Sequence, residues 1–254
     1  MMFDAVDAYR AAFSYRDIPA EVEQVLAWHA RHRGGSPARV LELAAGPADH
    51  ALEFARRGVG ATALDLSAAM CACARQRAAD AGLPLEVVRA DMTDFRIAGR
   101  FGLAILLLDS ASLVLTDGAM AGLFSCVARH LEPGGLFVVD LSADRPGAPP
   151  PDWTIDTGEV SVRTRWGADG DVVDPATGIE QTRVRVTTTR RGEAESRSVV
   201  DEIVPSRRWT GSQLAALAAP GGWELLARYD ELDRATDRDV VVLRSAGDGV
   251  QLGQ

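Results

Sequence analysis

Lysine is absent from the 254-residue sequence, so all 27 of its lysine and arginine residues are arginines. With abundant alanine, this composition indicates a GC-rich genome more than it indicates a mechanism. The formal net charge at pH 7 is -9, and such an excess of acid repels a nucleic-acid backbone or an anionic membrane surface. We therefore expect neither nucleic acid nor membrane as a partner.

Cysteine is scarce, since only Cys71, Cys73 and Cys126 occur. An odd number, with two of them two positions apart, predicts no disulfide framework. The spacings H-x-x-x-H and C-x-x-C are missing, which predicts no metal site. The longest apolar run, residues 103–108, is too short to span a bilayer. The N-terminus lacks the features of a secretory signal, and a cytoplasmic location fits these features best.

The strongest local pattern covers residues 40–65. An apolar run predicts a buried strand, the small residues 44–48 predict a turn, and helical spacing follows from Ala51. A second strand then ends at Asp65. Small residues let a ligand approach the backbone, and an acid about 20 residues later can accept ribose hydroxyls. The unit predicts a nucleotide-like ligand, although such turns also occur in α/β domains that bind nothing.

Strands and helices continue to alternate along most of the chain. Further strands are predicted at residues 85–90, 101–108, 136–141, 223–229 and 239–244, and helices at 68–81, 117–131 and 209–219. The segment Glu132-Pro133-Gly134-Gly135 should break the chain before the strand at 136–141. This rhythm predicts an α/β fold with a Rossmann-like, seven-stranded, mostly parallel sheet and helices on both faces.

Two segments depart from this alternation. Residues 1–35 predict a helical arm, and residues 145–205 predict an antiparallel β insertion with strands at 159–166, 178–189 and 196–204. The α/β domain would then comprise residues 36–144 and 206–245. Four arginines of the insertion share one face, for which a solvated surface is a simpler explanation than an anion-binding patch. These are Arg163, Arg165, Arg183 and Arg185.

Four motifs in order resemble those of class I S-adenosylmethionine (AdoMet)-dependent methyltransferases of the small-molecule type. They are V-L-E-L-A-A-G-P-A from residue 40, A-L-D-L-S-A-A-M from 63, R-A-D-M-T-D-F from 89 and L-E-P-G-G-L-F-V-V-D-L from 131. The resemblance extends over residues 36–144 and 207–244. It implies AdoMet as cofactor, S-adenosylhomocysteine (SAH) as its product, and methyl transfer to a nitrogen or oxygen atom of a small metabolite.

The resemblance also implies which residues meet the methionine and ribose parts of the cofactor. Glu42 and Gly46 would lie beside the methionine part, with Ala44 as a second position of close approach. Asp65 would accept both ribose hydroxyls. The chain departs from the family pattern where Ala44 and Ala48 replace the first and third glycines, and Ala48 narrows the approach.

The remaining cofactor residues implied by the resemblance lie further along the chain. Leu66 and Met70 would flank the adenine ring. Asp91 would meet the adenine amino group, with Met92 beside it. Asp109, after the fourth strand, would lie near the sulfonium and the substrate.

The acceptor pocket in such enzymes is formed by the arm and the insertion. This implies six substrate-contacting candidates here, namely Tyr9, Tyr15, Arg16, Trp153, Arg207 and Trp209. An amine acceptor needs only to arrive deprotonated, whereas a hydroxyl acceptor is helped by a general base. Asp109 and His50 are the catalytic candidates, with His29 and His130 as further bases. Local hydrogen bonding is the simpler explanation of His50, which begins a helix.

Two other functions stay open at this point. One is a non-methylating enzyme that retains an AdoMet or SAH site, and the other is a non-catalytic binding protein on the same fold. The absence of G-x-G-x-x-G disfavours a Rossmann dehydrogenase. A homodimer is also open, because an antiparallel insertion can pair across a two-fold axis as easily as it can cover a pocket.

Overall fold

The computed structural model describes residues 5–142, 149–191, 196–232 and 237–246. These residues divide into two compact units. One unit contains the described residues of 1–16 and 145–208, and the other contains those of 17–144 and 209–254. The predicted arm at residues 1–35 is therefore divided between the units at residue 16.

The larger unit contains the seven-stranded sheet, its helices and the second helix of the arm. Its strands are β1 (Arg39–Leu43), β2 (Gly60–Asp65), β3 (Leu85–Arg89), β4 (Phe101–Leu106), β5 (Leu131–Ser142), β10 (Trp223–Glu231) and β11 (Asp237–Ser245). Its α-helices are α2 (Ile18–Arg33), α3 (Asp49–Arg56), α4 (Ala68–Asp80), α5 (Asp117–His130) and α6 (Gly211–Ala218). Short 3₁₀ helices cover Ser110–Leu113 and Ala219–Gly221.

All seven strands belong to one sheet, in the order β10-β11-β5-β4-β1-β2-β3. Strands β1 to β5 pair in parallel with their neighbours, while β11 is antiparallel to both β5 and β10. The predicted fold class is confirmed. The chain runs outward from β1 to β3 and then returns to the other side of β1. This reversal opens a crevice at the carboxyl ends of β1 and β4.

Two hydrophobic clusters explain why the sheet carries helices on both faces. Alternate residues of β1 point to opposite faces, so Leu41 and Leu43 join one cluster while Val40 joins the other. The first cluster includes α5 and α6, and the second includes α2, α3 and α4. All residues of β4 are buried, as expected for a strand covered on both sides.

The prediction of a chain break before the fifth strand was wrong. β5 begins at Leu131, directly after α5 ends at His130. The strand tolerates the Pro-Gly segment because Gly134 adopts φ +70°, and its pairing with β4 shifts register between Phe101 and Leu103. Leu136 follows Leu131 by five positions while its partner Leu103 follows Phe101 by two, so β5 accommodates three extra residues without ending.

The smaller unit is a four-stranded antiparallel sheet in the order β6-β7-β8-β9. Its elements are α1 (Val6–Ala12), β6 (Asp152–Asp156), β7 (Val160–Trp166), β8 (Ile179–Arg190) and β9 (Ser196–Arg207). The three predicted strands are present, and β6 is an edge strand that the pattern did not indicate. The indole Nε1 of Trp153 on β6 donates to the carbonyl oxygen of Ala12 at 2.8 Å, which fastens α1 to the sheet.

The arginines of β7 and β8 share an exposed face of this sheet, on which Arg165 lies opposite Arg185. Carboxylates surround them. Arg163 pairs with Asp152 at 2.7 Å, and Arg183 and Arg185 both donate to Asp201. These ion pairs favour the solvated-surface explanation over a patch that binds external anions.

Candidate cofactor and acceptor site

The loop after β1 has an unusual backbone. Ala44, Gly46 and Ala48 have φ values of +48°, +54° and +61°, so every second residue is left-handed. For alanine this conformation costs about 1–2 kcal/mol per residue. Two backbone bonds hold the loop, from Ala45 N to Leu64 O at 3.0 Å and from Ala48 N to Ala45 O at 2.8 Å. Strain of this kind persists where surrounding structure enforces it, which is common at binding sites.

Arg77 of α4 holds the far side of this loop. Its Nη1 donates to the carbonyl oxygen of Pro47 at 2.5 Å, and its Nη2 pairs with Asp49 at 2.6 Å. The guanidinium therefore joins the loop to the first residue of α3. The sequence carried no signal for this contact, because α4 contains two arginines, Arg75 and Arg77, and nothing in the pattern distinguishes them.

Asp65 occupies the end of β2, beside the loop. Its Oδ2 accepts a hydrogen bond from Gly46 N at 2.6 Å, and its Oδ1 accepts one from Ser67 N at 2.8 Å. Burial raises the pKa of Asp65, and the hydrogen bonds from Ser67, Gly46 and Leu66 oppose that rise. A carboxylate has about four acceptor sites, so both oxygens can accept further bonds from hydroxyl groups. This acceptor pair fits the hydroxyls of a ribose.

Of the four residues predicted to meet adenine, two are exposed, one is half-buried and one is buried. Leu66 is 64% exposed and offers an apolar surface next to Asp65. Asp91 is exposed, and its Oδ1 accepts bonds from Thr93 N and Oγ1, each at 2.7 Å. Met92 is half-buried against the core. Met70 is only 1% exposed, so its side chain packs in the core and cannot flank a ring at the surface.

Asp109 follows β4 in a second strained segment. Leu108 and Asp109 are consecutive residues with φ values of +58° and +56°. The Asp109 carboxylate accepts bonds from Ser142 N at 3.1 Å and Ser142 Oγ at 2.9 Å, at the end of β5. Burial raises the pKa of Asp109, while the bonds to Ser142 and the charge of Arg238 act in the opposite direction. A carboxyl with a raised pKa is a stronger proton acceptor when ionised.

A buried ion pair holds the backbone of this segment. Asp140 is 1% exposed, and Arg238 donates to both of its oxygens at 2.6 Å. The same carboxylate accepts a bond from Leu108 N at 2.9 Å. Asp140 is therefore engaged with Arg238 and with the backbone that carries Asp109.

The surroundings of His50 do not suit the catalytic role predicted for it. Its ring is buried, with Nδ1 2.9 Å from Glu42 Oε1 and Nε2 2.8 Å from Glu21 Oε2. When both carboxyls are ionised, both ring nitrogens donate to them and the ring is an imidazolium. Each ring nitrogen is engaged with a glutamate, so the ring is not available to take a proton from a substrate.

Glu42 is also placed differently from the expectation that it would lie beside the methionine part of the cofactor. It is 4% exposed, and its Oε2 accepts a bond from Ala51 N at 2.8 Å. Its contacts are therefore with His50 and the first turn of α3. Glu21 belongs to the same group and was missed, since one glutamate on a polar helix gives no sign that it is buried.

The other two histidine candidates lie at the amino-terminal edge of the parallel strands, away from the loop. His130 Nδ1 lies 2.7 Å from Cys126 O, and its Nε2 accepts a hydrogen bond from Ile97 N at 3.2 Å. His29 Nδ1 lies 2.9 Å from Gly35 O, and burial lowers the pKa of this histidine. Both serve the packing of this edge.

Three of the six substrate candidates cluster in the smaller unit. The ring of Tyr9 lies 4.7 Å from that of Phe13, and Trp153 contacts Phe13 at 5.6 Å and Tyr15 at 6.3 Å between ring centroids. Arg16 follows α1, and Arg207 ends β9. Trp209 belongs to the larger unit, where it is 3% exposed and donates to Val114 O at 2.8 Å. Its role there is packing.

None of the helices within the described residues is long and apolar enough to cross a membrane. Within the same residues, no group of three or more histidine, cysteine, aspartate or glutamate side chains is arranged to hold a metal ion.

The order of the seven-stranded sheet, the loop after β1 and the carboxylate after β2 agree with the predicted resemblance to class I AdoMet-dependent methyltransferases. Residues 40–135 match the family model described as "Methyltransferase domain".

The sequence is 30% identical over 139 residues to dTDP-3-amino-3,4,6-trideoxy-alpha-D-glucopyranose N,N-dimethyltransferase of Streptomyces venezuelae, covering 54% of this chain and 56% of that one. The chain spans about half the length of the curated relatives it matches.

Two solved structures share the fold over nearly the whole chain. DesVI of Streptomyces venezuelae has a TM-score of 0.77 at 18% identity, covering 94% of this chain and 98% of that one. AdoMet-bound CalS10 of Micromonospora echinaspora, described as an amino pentose methyltransferase, has a TM-score of 0.73 at 20% identity, covering 96% of both chains. At these identities the likeness shows a shared fold.

Proposed function

We propose that the chain is an AdoMet-dependent methyltransferase that methylates the amino nitrogen of a small metabolite of the amino-sugar class. The observation that carries the proposal is the pair formed by Asp65 and Gly46 at the crevice between the carboxyl ends of the strands. The acceptor class is supported by the relative that acts on a dTDP-linked amino sugar and by the amino pentose methyltransferase that shares the fold.

The proposed cofactor residues surround the loop after β1. Asp65 would accept the ribose hydroxyls, and Leu66 would cover one face of the adenine ring. Asp91 would accept from the adenine amino group with Met92 beside it. Ala44 and Gly46 would lie along the methionine part, where small side chains leave the backbone accessible.

An amine acceptor fits the described residues better than a hydroxyl does. The imidazole rings of His29, His50 and His130 are all buried and engaged in local hydrogen bonds. A hydroxyl nucleophile gains from a general base, whereas an amine reacts once it has lost its ammonium proton. Of the predicted catalytic groups, Asp109 is then the one that can accept a proton from the acceptor.

When bound, AdoMet supplies a methyl group already activated on a sulfonium, so the protein has mainly to align the acceptor and exclude water. We assign the alignment to Asp109. Its carboxylate is half-buried at the carboxyl end of β4 and is fixed by Ser142. There it would accept a hydrogen bond from the acceptor amine and receive its ammonium proton.

The smaller unit would contribute Tyr9, Tyr15, Arg16, Trp153 and Arg207 to acceptor binding. Val199 and Ile203 on its edge strand β9 are 50% and 53% exposed. We propose on this basis that the protein forms a homodimer through β9. The scarcity of cysteine supports the separate proposal that it acts in the cytoplasm. Sedimentation of the wild type and of an Ile203→Asp variant tests the dimer, because a charge on this edge should shift the protein to monomer.

Turnover of methyl-labelled AdoMet with a dTDP-linked amino sugar tests the function. We expect SAH and an N-methylated sugar in equal amounts, and no turnover with the same sugar bearing a hydroxyl in place of the amine. SAH binding without methyl transfer to any amine or hydroxyl would favour a non-methylating enzyme or a binding protein. Absence of both AdoMet and SAH binding in calorimetry would remove the proposal.

A further inference from the structure

Three ionisable side chains lie buried together at the base of the loop formed by residues 44–48. Glu21, Glu42 and His50 are 1%, 4% and 4% exposed. They come from α2, β1 and α3, with the imidazole of His50 between the two carboxylates at 2.8 and 2.9 Å. With both carboxyls ionised, both ring nitrogens carry protons, and the charges amount to two negative and one positive.

Glu42 connects the strand before the loop with the helix after it. It occupies β1, immediately before Leu43 and the loop, and its Oε2 accepts from Ala51 N in the first turn of α3. Helix α3 needs such an acceptor, since its N-cap residue Ala48 is left-handed and provides no side-chain bond. A carboxylate near the amino end of a helix is also favoured by the helix dipole. Glu42 thus ties the strand to the helix across the loop.

His50 gives the buried Glu42 carboxyl a hydrogen-bonding partner. A buried carboxylate without a partner is costly, and a second one nearby adds repulsion. The imidazolium neutralises one charge and directs the second through its Nε2 to Glu21. In this way the position of the loop depends on α2 as well as on its own strand and helix.

A buried ionic cluster is a poor means of stabilisation alone, because apolar side chains of similar volume often serve as well or better. The advantage of such a cluster is that hydrogen bonds are directional, so each one fixes the position of one atom relative to another. The adjoining loop needs such control, as three of its residues are left-handed and two of these are alanines.

We propose that Glu21, His50 and Glu42 are positioning residues that hold loop 44–48 in its cofactor-binding conformation. This inference rests on the proposed function. Glu21 thereby becomes a determinant of cofactor affinity although it lies on the helix before the α/β core.

Two single variants test the proposal through the SAH dissociation constant, measured by calorimetry at about 10 °C on the folded protein, a temperature near the usual maximum of stability. Glu42→Gln keeps the shape of residue 42 but replaces one of the two oxygens that face His50 and Ala51 N with an NH₂ group, which cannot accept a hydrogen bond. His50→Gln leaves two buried carboxylates without the imidazolium. We expect each to raise the dissociation constant about tenfold or more, by loss of a buried charge-assisted bond.

The double variant Glu21→Gln/His50→Gln provides a rescue. It retains one carboxylate, that of Glu42, which can accept from the amide introduced at position 50 and from Ala51 N. We expect its SAH affinity to return to within about threefold of wild type, although it carries one substitution more than His50→Gln. Such recovery is the signature of coupled charges in one network.

Val25→Ala is the matched control, because Val25 is fully buried on the same helix as Glu21. It should lower the melting temperature of the cofactor-free protein and leave the SAH dissociation constant within about twofold of wild type. A purely structural role for the cluster predicts the same for Glu42→Gln.

The outcomes separate the two proposals. If the wild type binds neither AdoMet nor SAH, the proposed function fails, and the positioning role fails with it. If the wild type binds SAH and folded Glu42→Gln binds it equally well, the positioning role alone is overturned. Should His50→Gln not fold, Glu42→Gln and the double variant still decide the matter.

Discussion

Asp65 and Gly46 are 19 residues apart in the chain, and the Asp65 carboxylate accepts a 2.6 Å hydrogen bond from the Gly46 amide. The bond joins the end of β2 to the loop after β1. It also holds the carboxylate beside that loop, at the carboxyl end of β2. The same side chain would then serve both the conformation of the loop and the recognition of ribose.

Asp65→Ala is expected to weaken SAH binding by about 1–3 kcal/mol, the usual cost of losing a charge-assisted hydrogen-bonded partner. Titration calorimetry measures the change directly. Asp80→Ala removes an exposed carboxylate from α4 and should leave the affinity unchanged. Equal affinities for wild type and Asp65→Ala would rule out the ribose assignment.

Ala48→Gly should stabilise the protein by about 1 kcal/mol, because glycine adopts the left-handed region without the clash that alanine suffers. The φ of Ala48 is +61°. Urea denaturation followed by circular dichroism measures the free energy of unfolding. Ala74→Gly, in the interior of α4, should instead destabilise by about 1 kcal/mol. A stability loss in both variants would mean that Ala48 is not strained.

Arg238→Leu should destabilise the protein by about 3–5 kcal/mol, since it leaves the Asp140 carboxylate buried and uncompensated. Arg228→Leu is the comparison, because Arg228 pairs with Asp239 at 2.7 Å while remaining largely exposed. An exposed pair is worth about 0–1 kcal/mol. Chemical denaturation of both variants would contradict the assignment if their losses were alike.

Asp109→Asn should change how stability depends on pH. The folded-state pKa of Asp109 is raised by burial, so its contribution to stability is full below the unfolded-state pKa, about 3.9, and is lost as pH rises through the folded-state value. The variant lacks this loss. Urea titrations should therefore show a greater stability relative to wild type at about pH 7.5 than at about pH 4.5. The kcat of the variant should fall, because Asp109 is proposed to act on the acceptor.

Asp80→Asn gives the reference for that experiment, because its exposed carboxyl should show no such difference between the two pH values. A relative stability of Asp109→Asn that fell between the acidic and the neutral measurement would show that the carboxylate is stabilised by folding, contrary to the burial effect. Unchanged kcat would remove the proposed role of Asp109 at the acceptor.

Sequence patterns predicted the central parallel strands because β1, β2 and β4 are largely buried and read as short apolar runs. β6 was missed for the opposite reason. Its residues alternate between exposed and half-buried, and it follows three prolines at 149–151, so the segment resembled a connection. The continuation of β5 through Pro133 was missed because it depends on the backbone of Gly134, which the residue types did not reveal.

The candidate site divides in the same way. The positions of Asp65 and Asp109 at strand ends could be predicted, because parallel strands present their carboxyl ends on one edge. The partners of His50 could not, since they lie 8 and 29 residues away in the chain. The left-handed backbone of Ala44 and Ala48 was equally hidden, because alanine rarely adopts it.

The pairing of β11 with β5 has a consequence for protein synthesis. Asp140 and Arg238 are separated by 98 residues, so the carboxylate leaves the ribosome long before its guanidinium exists. At about 5–20 residues per second, the interval is about 5–20 s. During that time the β5 edge that β11 later covers is open. A cell that expresses this protein must protect a nascent, unpaired sheet edge, and slow translation of residues 209–245 should increase aggregation.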